Sequence, residues 1–440
     1  MLFQRIVERI TVCIKELSDN SAEKKRFERL LRHPEVTPNR IIHTEQARVK
    51  ALISERHVLA IQDTTENNYQ SKAGRVKGLG TVGNGTDAGF FLHPLIVLDA
   101  HTGGAIGCAE VTVWNRTKEA DEQYQQLPIE EKESYRWIST AESGAKVLSK
   151  AASVTFIGDR ESDIYEYMDR IPKQNTHIIT RTRCDRLIVH SDYRTLYDYL
   201  DNTKEAGRIS VSIRGDERIE RQKREALLSI KYGEIEIKRP KKCTDKCASP
   251  SIKLWVVEAK EIECPAGQDP IHWRLYTSHP VASFEQAQQI IIWYQMRWNI
   301  EQVFRTTKSK GFDIEQSQVE SGESLMKLSL FALFAALKVI QLVTARDGST
   351  ELKTSDLFTP DEQVFLRGLL VRIQGKTIKQ QNPYPEDNLA WAAWIIARLG
   401  GWHCYTKSEG PPGPVILARG LKKFHEMFCG WNLYKLMSAE

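Results

Sequence analysis

Long apolar runs are scarce in this 440-residue chain. None approaches the roughly 18 to 20 uninterrupted apolar residues that a membrane-spanning helix requires. The longest candidate, Leu328 to Val343, is interrupted by Lys338 and Gln341, which predicts a buried helix. The opening MLFQRIVERI lacks the apolar h-region and small-residue cleavage site of a signal peptide. We therefore expect neither a secreted nor a membrane protein.

Cysteine and net charge are also low. Eight scattered cysteines predict reduced thiols in a cytosolic protein rather than a disulfide framework. Lysine plus arginine number 62 against 57 aspartate plus glutamate, a net charge of +5. This mildly basic balance is compatible with a nucleic-acid partner but does not by itself indicate one. Ten tryptophans could supply stacking groups to such a partner.

The order of apolar and polar segments predicts a mixed α/β protein. Residues 1–56 have the pattern of helices, and a strand follows that ends just before Asp63. Two apolar runs around His101-Thr102-Gly103-Gly104 predict a hairpin, and alternating helix and strand patterns follow it. This order is typical of a mixed sheet covered by helices. Residues 185–278 contain short β-like runs that suggest an insertion rather than part of the first sheet, and helical periodicity returns from Phe284.

Two aspartates each end an apolar strand. Asp63 follows VLAIQ, and Asp159 follows VTFIG in the run FIGDRESD. Ligands and catalytic groups gather at strand ends of α/β sheets, and paired carboxylates suit hard divalent cations such as Mg²⁺ or Mn²⁺. An aspartate after a strand is also a common turn or N-cap residue, so this alternative stays open for each one.

A third acidic residue lies in IIWYQMRWNIEQVFRTTKSK. At about 100° per residue, one face roughly 60° wide carries four polar side chains, with Arg305 extending the stripe. The four are Tyr294, Arg297, Glu301 and Lys308. Such a face suits a surface that holds phosphate and contributes one metal ligand. An exposed helix with Glu301 and Arg305 as an ordinary i,i+4 pair is the alternative.

The spacing Y-x2-R-x3-E-x6-K of these residues resembles the signature of the insertion-sequence-four family of DDE transposases, including its Tn-five-like members. The resemblance extends to other motifs. Asp63 in AIQDTT and Asp159 in GDRESD resemble the first and second aspartate motifs of that family. Trp273 in WRLYTSHPV lies 21 residues before Tyr294 and resembles its base-stacking tryptophan. LARG and GGW…PPGP near the end resemble its dimerisation tail, so the resemblance covers about residue 30 to the end.

The resemblance implies an RNase H-like, retroviral integrase-like catalytic core at 57–345 with a β insertion at about 185–278. Asp63, Asp159 and Glu301 would be the catalytic residues and would bind two Mg²⁺ or Mn²⁺ ions. Residues 1–56 would form a helical DNA-binding region, and 346–440 a helical dimerisation domain. Bound metal pairs of this kind promote in-line displacement at phosphodiesters. The expected activity is cut-and-paste DNA transposition in the bacterial cytoplasm at the nucleoid, with a homodimer holding transposon-end and target DNA.

The resemblance also implies DNA contacts. Tyr294, Arg297, Lys308 and Trp273 would handle a bent end with a flipped base, because stacking on an aromatic ring recovers part of the cost of unstacking. In members of the family that the sequence resembles, excision passes through a DNA hairpin, and the resemblance implies the same route here. Arg181 and Arg183, in ITRTR, resemble positions that contact the transposon backbone, and Arg305 one that binds phosphate.

The N-terminal region departs from the family pattern, because only 62 residues precede Asp63. This looks several tens of residues short and predicts a truncated end-recognition region. Two alternatives to the active transposase follow. One is a truncated chain that binds DNA or dimerises as an inhibitor, and the other is a stand-alone RNase H-like nuclease that cuts without joining.

Two further motifs are not assigned a ligand. Gly78, Gly80 and Gly83 spell G-x-G-x-x-G, but no clear strand precedes them and a β run rather than a helix follows. We interpret them as an active-site loop and expect no nucleotide cofactor. The spacing of Cys243, Cys247 and Cys264 lacks the paired pattern of a zinc site.

Overall fold

The computed structural model describes residues 1–83, 85–116, 126–213, 222–308 and 311–438. It is a mixed α/β structure, as the sequence predicts. Its strands, in chain order, are β1 His57–Gln62, β2 Thr65–Asn68, β3 Gly80–Val82, β4 Asp87–Asp99, β5 Ala105–Trp114, β6 Ser153–Gly158, β7 Thr176–Arg181, β8 Gly207–Ile213, β9 Arg224–Lys238, β10 Ser251–Glu261 and β11 His272–Thr277.

The α-helices begin and end at the following residues. They are α1 Leu2–Arg9, α2 Ile14–Leu17, α3 Ser21–Arg32, α4 Pro38–Leu52, α5 Arg136–Val147, α6 Tyr165–Arg170, α7 Leu196–Asn202, α8 Phe284–Gln295, α9 Trp298–Thr307, α10 Gly322–Ala345, α11 Pro360–Ile373, α12 Leu389–Leu399, α13 Thr406–Glu409 and α14 Pro414–Met437.

The chain packs as two compact units. The first contains Met1–Ser54, Thr64–Thr117 and Trp298–Glu440, and the second contains Glu55–Asp63 and Lys118–Arg297. These two units are defined by packing. The three regions expected from the sequence are defined by their roles, and they stay a prediction.

The second unit is built on a mixed sheet. Strands β1, β6 and β7 run parallel to one another. Their apolar residues are buried on both faces, the pattern expected of parallel strands covered by helices. Strand β11 pairs antiparallel with β7, and β10, β9 and β8 follow in turn.

The expectation of a β insertion separate from the first sheet is wrong in one respect. The stretch is rich in strands, but β11 pairs with β7 through Leu275 and Arg181, so the strands β8 to β11 extend the existing sheet. Pairing satisfies the backbone groups that the edge of β7 would otherwise expose. Residues 214–221 of this stretch lie outside the described part of the chain.

The first unit packs helices around the predicted hairpin. Strands β4 and β5 pair antiparallel, which confirms the hairpin, and β2 and β3 also pair with β4. The helical region predicted at residues 1–56 is confirmed as four helices, and the first of them ends where Ile10 adopts a left-handed conformation (φ 48°). The glycine-rich loop contains β3, and β4 follows it rather than a helix.

Helix α10 forms the centre of the first unit. It is long and apolar enough to cross a membrane by length and composition, but 78% of its most apolar window is buried. Helices α1, α4, α12 and α14 and strand β5 pack around it. Core helices and membrane spans share this composition, so the burial confirms the predicted buried helix.

A histidine cluster joins the central strands of the second unit. His57 Nε2 and His279 Nε2 each lie 2.8 Å from the Thr155 hydroxyl. The His279 ring stacks on His177 with 3.9 Å between centroids, and Trp293 packs against His57 and His279. Burial lowers the pKa of His279 to about 3, and the charges of His177 and His57 act in the same direction. His279 is therefore neutral in the folded protein at neutral pH.

We expect this cluster to make folding stability depend on pH. Unfolded His279 would titrate near its ordinary pKa of 6.5, whereas the folded side chain resists protonation down to about 3. The unfolded state therefore binds more protons in that window, and stability falls as pH decreases from about 6.5. His279→Gln keeps a group that can bond Thr155 but cannot titrate, so its Tm should fall less between pH 7 and 4 than that of the wild type.

Thermal melting followed by circular dichroism measures this difference. His43→Gln, at an exposed position of α4, is the control and should keep the wild-type pH profile. Parallel Tm curves for the wild type and His279→Gln would contradict the prediction.

Candidate active site

The two predicted aspartates lie at equivalent ends of neighbouring strands. β1 pairs with β6 in parallel, with Ile61 opposite Ile157. Asp63 lies two residues after Ile61, and Asp159 lies two residues after Ile157. Because neighbouring strands are about 4.8 Å apart, this register brings the two carboxylates to the same edge of the sheet.

A tight turn fixes the backbone at Asp159. Its Oδ1 accepts a hydrogen bond of 2.8 Å from the Glu161 amide and so caps the 3₁₀ turn Arg160–Ser162. Ser162 Oγ donates to the Asp159 carbonyl at 2.7 Å. A Cβ on Gly158 would lie 2.4 Å from Ser162 Oγ and 2.8 Å from the Trp137 ring. Glycine is therefore required for this close approach, and Asp159 is an N-cap as the alternative interpretation allowed.

Asp63 is held by an arginine. Arg297 Nη1 donates to Asp63 Oδ2 at 2.9 Å, and the two side chains are only 17% and 19% exposed. A charge-assisted hydrogen bond at low exposure offsets much of the cost of keeping the carboxylate ionised there. The sequence predicted Arg297 as a DNA contact, and the structure gives it this partner within the second unit.

Tyr294 brings several predicted residues together. It is 5% exposed, and its ring meets Trp273 edge-on at 5.5 Å between centroids. Burial raises the pKa of Tyr294, while the charges of Arg297 and Arg181 oppose the rise and that of Asp159 adds to it. Arg181 therefore lies near enough to the phenol to act on its charge. These five residues therefore form one polar and aromatic cluster.

The edges of this cluster are formed by β7 and β11. Arg181 ends β7, and its Nη2 donates to the His272 carbonyl at 3.0 Å. Trp273 follows on β11 and is half-buried. Arg183 is exposed, and its backbone amide donates to Asp163.

The single helical face predicted from Tyr294 to Lys308 is wrong. Helix α8 ends at Gln295 and α9 begins at Trp298. The amides of Met296 and Arg297 bond the carbonyls three residues before them, at 3.1 Å each. This tighter turn ends the regular helical ladder, so a constant 100° per residue does not apply across it. The chain also passes from the second unit to the first here.

The remaining predicted residues belong to the first unit. Glu301 lies in the first turn of α9, and Arg305 is exposed in its last turn. Lys308 follows α9, where its Nζ donates to the Glu66 carbonyl at 2.5 Å and pairs with Glu315 at 3.2 Å. The convergence of Glu301 with Asp63 and Asp159 stays a prediction.

Sequence reasoning missed one buried pair beside Asp159. Asp163 and Arg186 form an ion pair of 2.7 Å with side-chain exposures of 0% and 11%. Asp163 is the last residue of the GDRESD motif, so the sequence showed one partner of the pair as an acidic residue near Asp159. Nothing in the local pattern marks Arg186, which lies 23 residues further along the chain.

Residues 139–337 match the family model of the transposase DDE domain. The matched segment runs from α5 into α10 and covers somewhat less than half of the chain. It includes Asp159 and Glu301 and begins after Asp63. The match supports a DDE transposase family and a transposase function. The insertion-sequence-four subfamily and its signature stay predictions.

DDE transposases generally use divalent metal ions, and the donor chemistry here fits such ions. Asp63 and Asp159 offer hard carboxylate oxygens at one sheet edge, the ligands that Mg²⁺ prefers. A carboxylate can accept several bonds at once, so the bond from Arg297 is compatible with metal binding. In the described ranges, no group of three or more His, Cys, Asp or Glu side chains is assembled as a metal site.

We expect the Arg297–Asp63 bond to stabilise the second unit. Arg297→Gln removes the cation from a carboxylate that is mostly buried, which should lower the free energy of unfolding by about 1–3 kcal/mol. Urea unfolding measures the change. Arg305→Gln is the matched control, because Arg305 is exposed and surface changes stay within about 0.5 kcal/mol. Equal effects of the two substitutions would contradict a structural role for Arg297.

Proposed function

We propose that this chain is a DNA transposase of a bacterial insertion sequence, of the insertion-sequence-four family, that performs cut-and-paste transposition. The observation that carries the proposal is the register of β1 and β6, with Asp63 and Asp159 two residues beyond the last pair. The match to the transposase DDE domain supplies the class of reaction. The proposed core is RNase H-like, with Glu301 as the third acidic residue.

Asp63, Asp159 and Glu301 would hold two Mg²⁺ or Mn²⁺ ions. When bound, such a pair activates a water or 3′-hydroxyl nucleophile and stabilises the leaving oxygen in an in-line displacement. The chain's own contribution is orientation. The 3₁₀ turn fixes the Asp159 carboxylate, and Arg297 fixes that of Asp63. The nicking step and the joining step use the same carboxylates.

The basic residues around the aspartates suit a phosphate backbone. Arg181 ends β7, Arg183 follows the strand, and Arg297 lies beside Asp63. We assign Arg181, Arg183 and Arg297 to the transposon end, together with Arg305 and Lys308 of the other unit. A guanidinium has five N–H donors, so Arg297 would bind a phosphate while its Nη1 still holds Asp63.

Trp273 and Tyr294 supply the aromatic part of the proposed site. Their rings meet edge-on, with Trp273 half-buried at the start of β11 and Tyr294 buried. A flipped base at a bent or hairpin end would stack on the accessible part of Trp273.

The C-terminal region supports the proposed homodimer of the synaptic complex. Helix α14 keeps several large apolar residues exposed, among them Met427, Leu433 and Tyr434. Exposed apolar side chains gathered on one helix mark interaction surfaces. Two chains joined in this way would hold two transposon ends together.

The test uses a labelled DNA fragment that carries the coding sequence with its own genomic flanks, incubated with the protein and Mg²⁺. We expect nicks at the element ends and joined product, both abolished by EDTA. Asp159→Asn and Glu301→Gln should each slow both steps at least about a hundredfold, since even losing a supporting residue of a metal site costs 10- to 100-fold. Asp198→Asn, at an exposed position of α7, is the control.

The outcomes separate the alternatives. Cleavage without joining indicates a stand-alone nuclease, and specific binding without cleavage indicates an inhibitor. Joined product that persists in Asp159→Asn or Glu301→Gln would rule out the assigned carboxylates.

We expect Trp273→Ala to slow hairpin formation more than the first nick. Base stacking on an aromatic ring contributes about 1–3 kcal/mol, which corresponds to a loss of roughly 5- to 150-fold in the step that needs the flipped base. Gel analysis of each intermediate measures the two rates. Trp255→Ala, on the neighbouring strand β10 and also half-buried, is the matched control. Equal slowing of both steps would count against base stacking.

A further inference from the structure

A fully buried carboxylate lies four residues after Asp159. The Asp163 side chain is 0% exposed. Its Oδ1 accepts a hydrogen bond of 2.8 Å from Arg186 Nε, and its Oδ2 accepts one of 2.7 Å from the Arg183 amide. Arg186 Nη2 also donates to the Asp163 carbonyl at 2.8 Å. Both carboxylate oxygens are thus bonded, which a buried charge requires.

These bonds join two segments that follow neighbouring parallel strands. Asp163 comes directly after the 3₁₀ turn that Asp159 caps, and that turn follows β6. Arg183 and Arg186 lie in the segment that follows β7. These hydrogen bonds therefore hold the Asp159 turn next to the segment that carries Arg183.

The burial of this ion pair makes its separation costly. Tyr276 of β11 lies close enough that burial, together with the charge of Asp163, raises the pKa of its phenol well above the ordinary value, while Arg186 opposes the rise. Because the Asp163 side chain is 0% exposed, removing one partner of the ion pair leaves an uncompensated buried charge. Hence the pair has little freedom to separate in the folded state.

We propose that Asp163 is a positioning residue: through Arg186 and the Arg183 amide, it sets the orientation of the Asp159 turn relative to the segment after β7. This inference rests on the proposed function of Asp159 and Arg183. Asp163 touches neither substrate nor metal in this role. It acts by holding the backbone that presents both residues.

A second ion pair in the same unit provides a matched control. Arg224 and Glu261 pair at 2.9 Å with exposures of 10% and 0%, nearly the same as those of Arg186 and Asp163. They join β9 and β10, on the part of the sheet away from Asp159. Asp163→Asn and Glu261→Gln therefore remove equally buried charges, but only the first lies beside the proposed site.

The first measurement is amide hydrogen exchange in the DNA-free protein, by mass spectrometry on peptides that cover 158–164 and 181–187. Asp163→Asn should speed exchange in both peptides about tenfold relative to Glu261→Gln, because the Arg183 amide loses its carboxylate acceptor and the Asp159 turn loses the contacts that hold it in place. Arg186→Lys keeps the charge but not the bidentate geometry, and it should give the same direction if Asp163→Asn fails to fold. Unchanged exchange at both peptides would overturn the proposal.

The second measurement is the nicking rate with Mg²⁺ at saturating DNA, at a temperature where each variant is folded. Asp163→Asn should lower kcat about 10- to 100-fold with little change in KM, since small misplacements of reacting groups cost rates of this size. Glu261→Gln should stay within about twofold. Equal losses in both variants would show a merely structural role and overturn the proposal. If the wild type does not nick, the proposed function fails, and the exchange result alone decides whether Asp163 positions the turn.

Discussion

The parallel register of β1 against β6 is the constraint on which the candidate site depends. It is set by apolar residues, since both strands are buried from their second residue onward. A slip by one residue would turn every side chain to the opposite face and would separate Asp63 from Asp159 along the sheet edge. Residues that take no part in chemistry therefore determine where the carboxylates meet.

Bringing carboxylates together has an electrostatic cost that nearby cations offset. Arg297 bonds Asp63, and the charge of Arg181 acts on Tyr294, whose phenol also feels the charge of Asp159. Arginine remains charged at any accessible pH, so this compensation does not depend on titration. The same positive charges would attract a DNA backbone, which links the stability of the free protein to the proposed recognition of its substrate.

Local patterns predicted the parts of the fold that local chemistry determines. The apolar runs before Asp63 and Asp159 became β1 and β6, and the turn residues after β4 gave the hairpin. The break between α8 and α9 was not predictable in this way, because neither proline nor glycine marks Met296 and Arg297. Apolar periodicity continues through the break and hides it.

Long-range pairings were equally hidden. The strand β11 lies far from β7 in the sequence, and its short apolar pattern fits a separate sheet as well as an extension of the first. The partner of Asp163 could not be identified from sequence either, since many arginines follow it and burial alone selects Arg186. Asp63 and Asp159 were visible in the sequence because each follows a strand, whereas the side chains that hold them are brought there by tertiary contacts.

A residue beside a reactive group can resist replacement because it takes part in the chemistry or because it is closely packed. Gly158 is an example of the second reason. It carries no functional atom, yet even a methyl group there would overlap Ser162 and Trp137. An inactive Gly158 variant would therefore report a displaced backbone and not a lost chemical step. Intolerance to substitution at this position measures how closely the strand end is packed, and it is no guide to which side chains take part in the reaction.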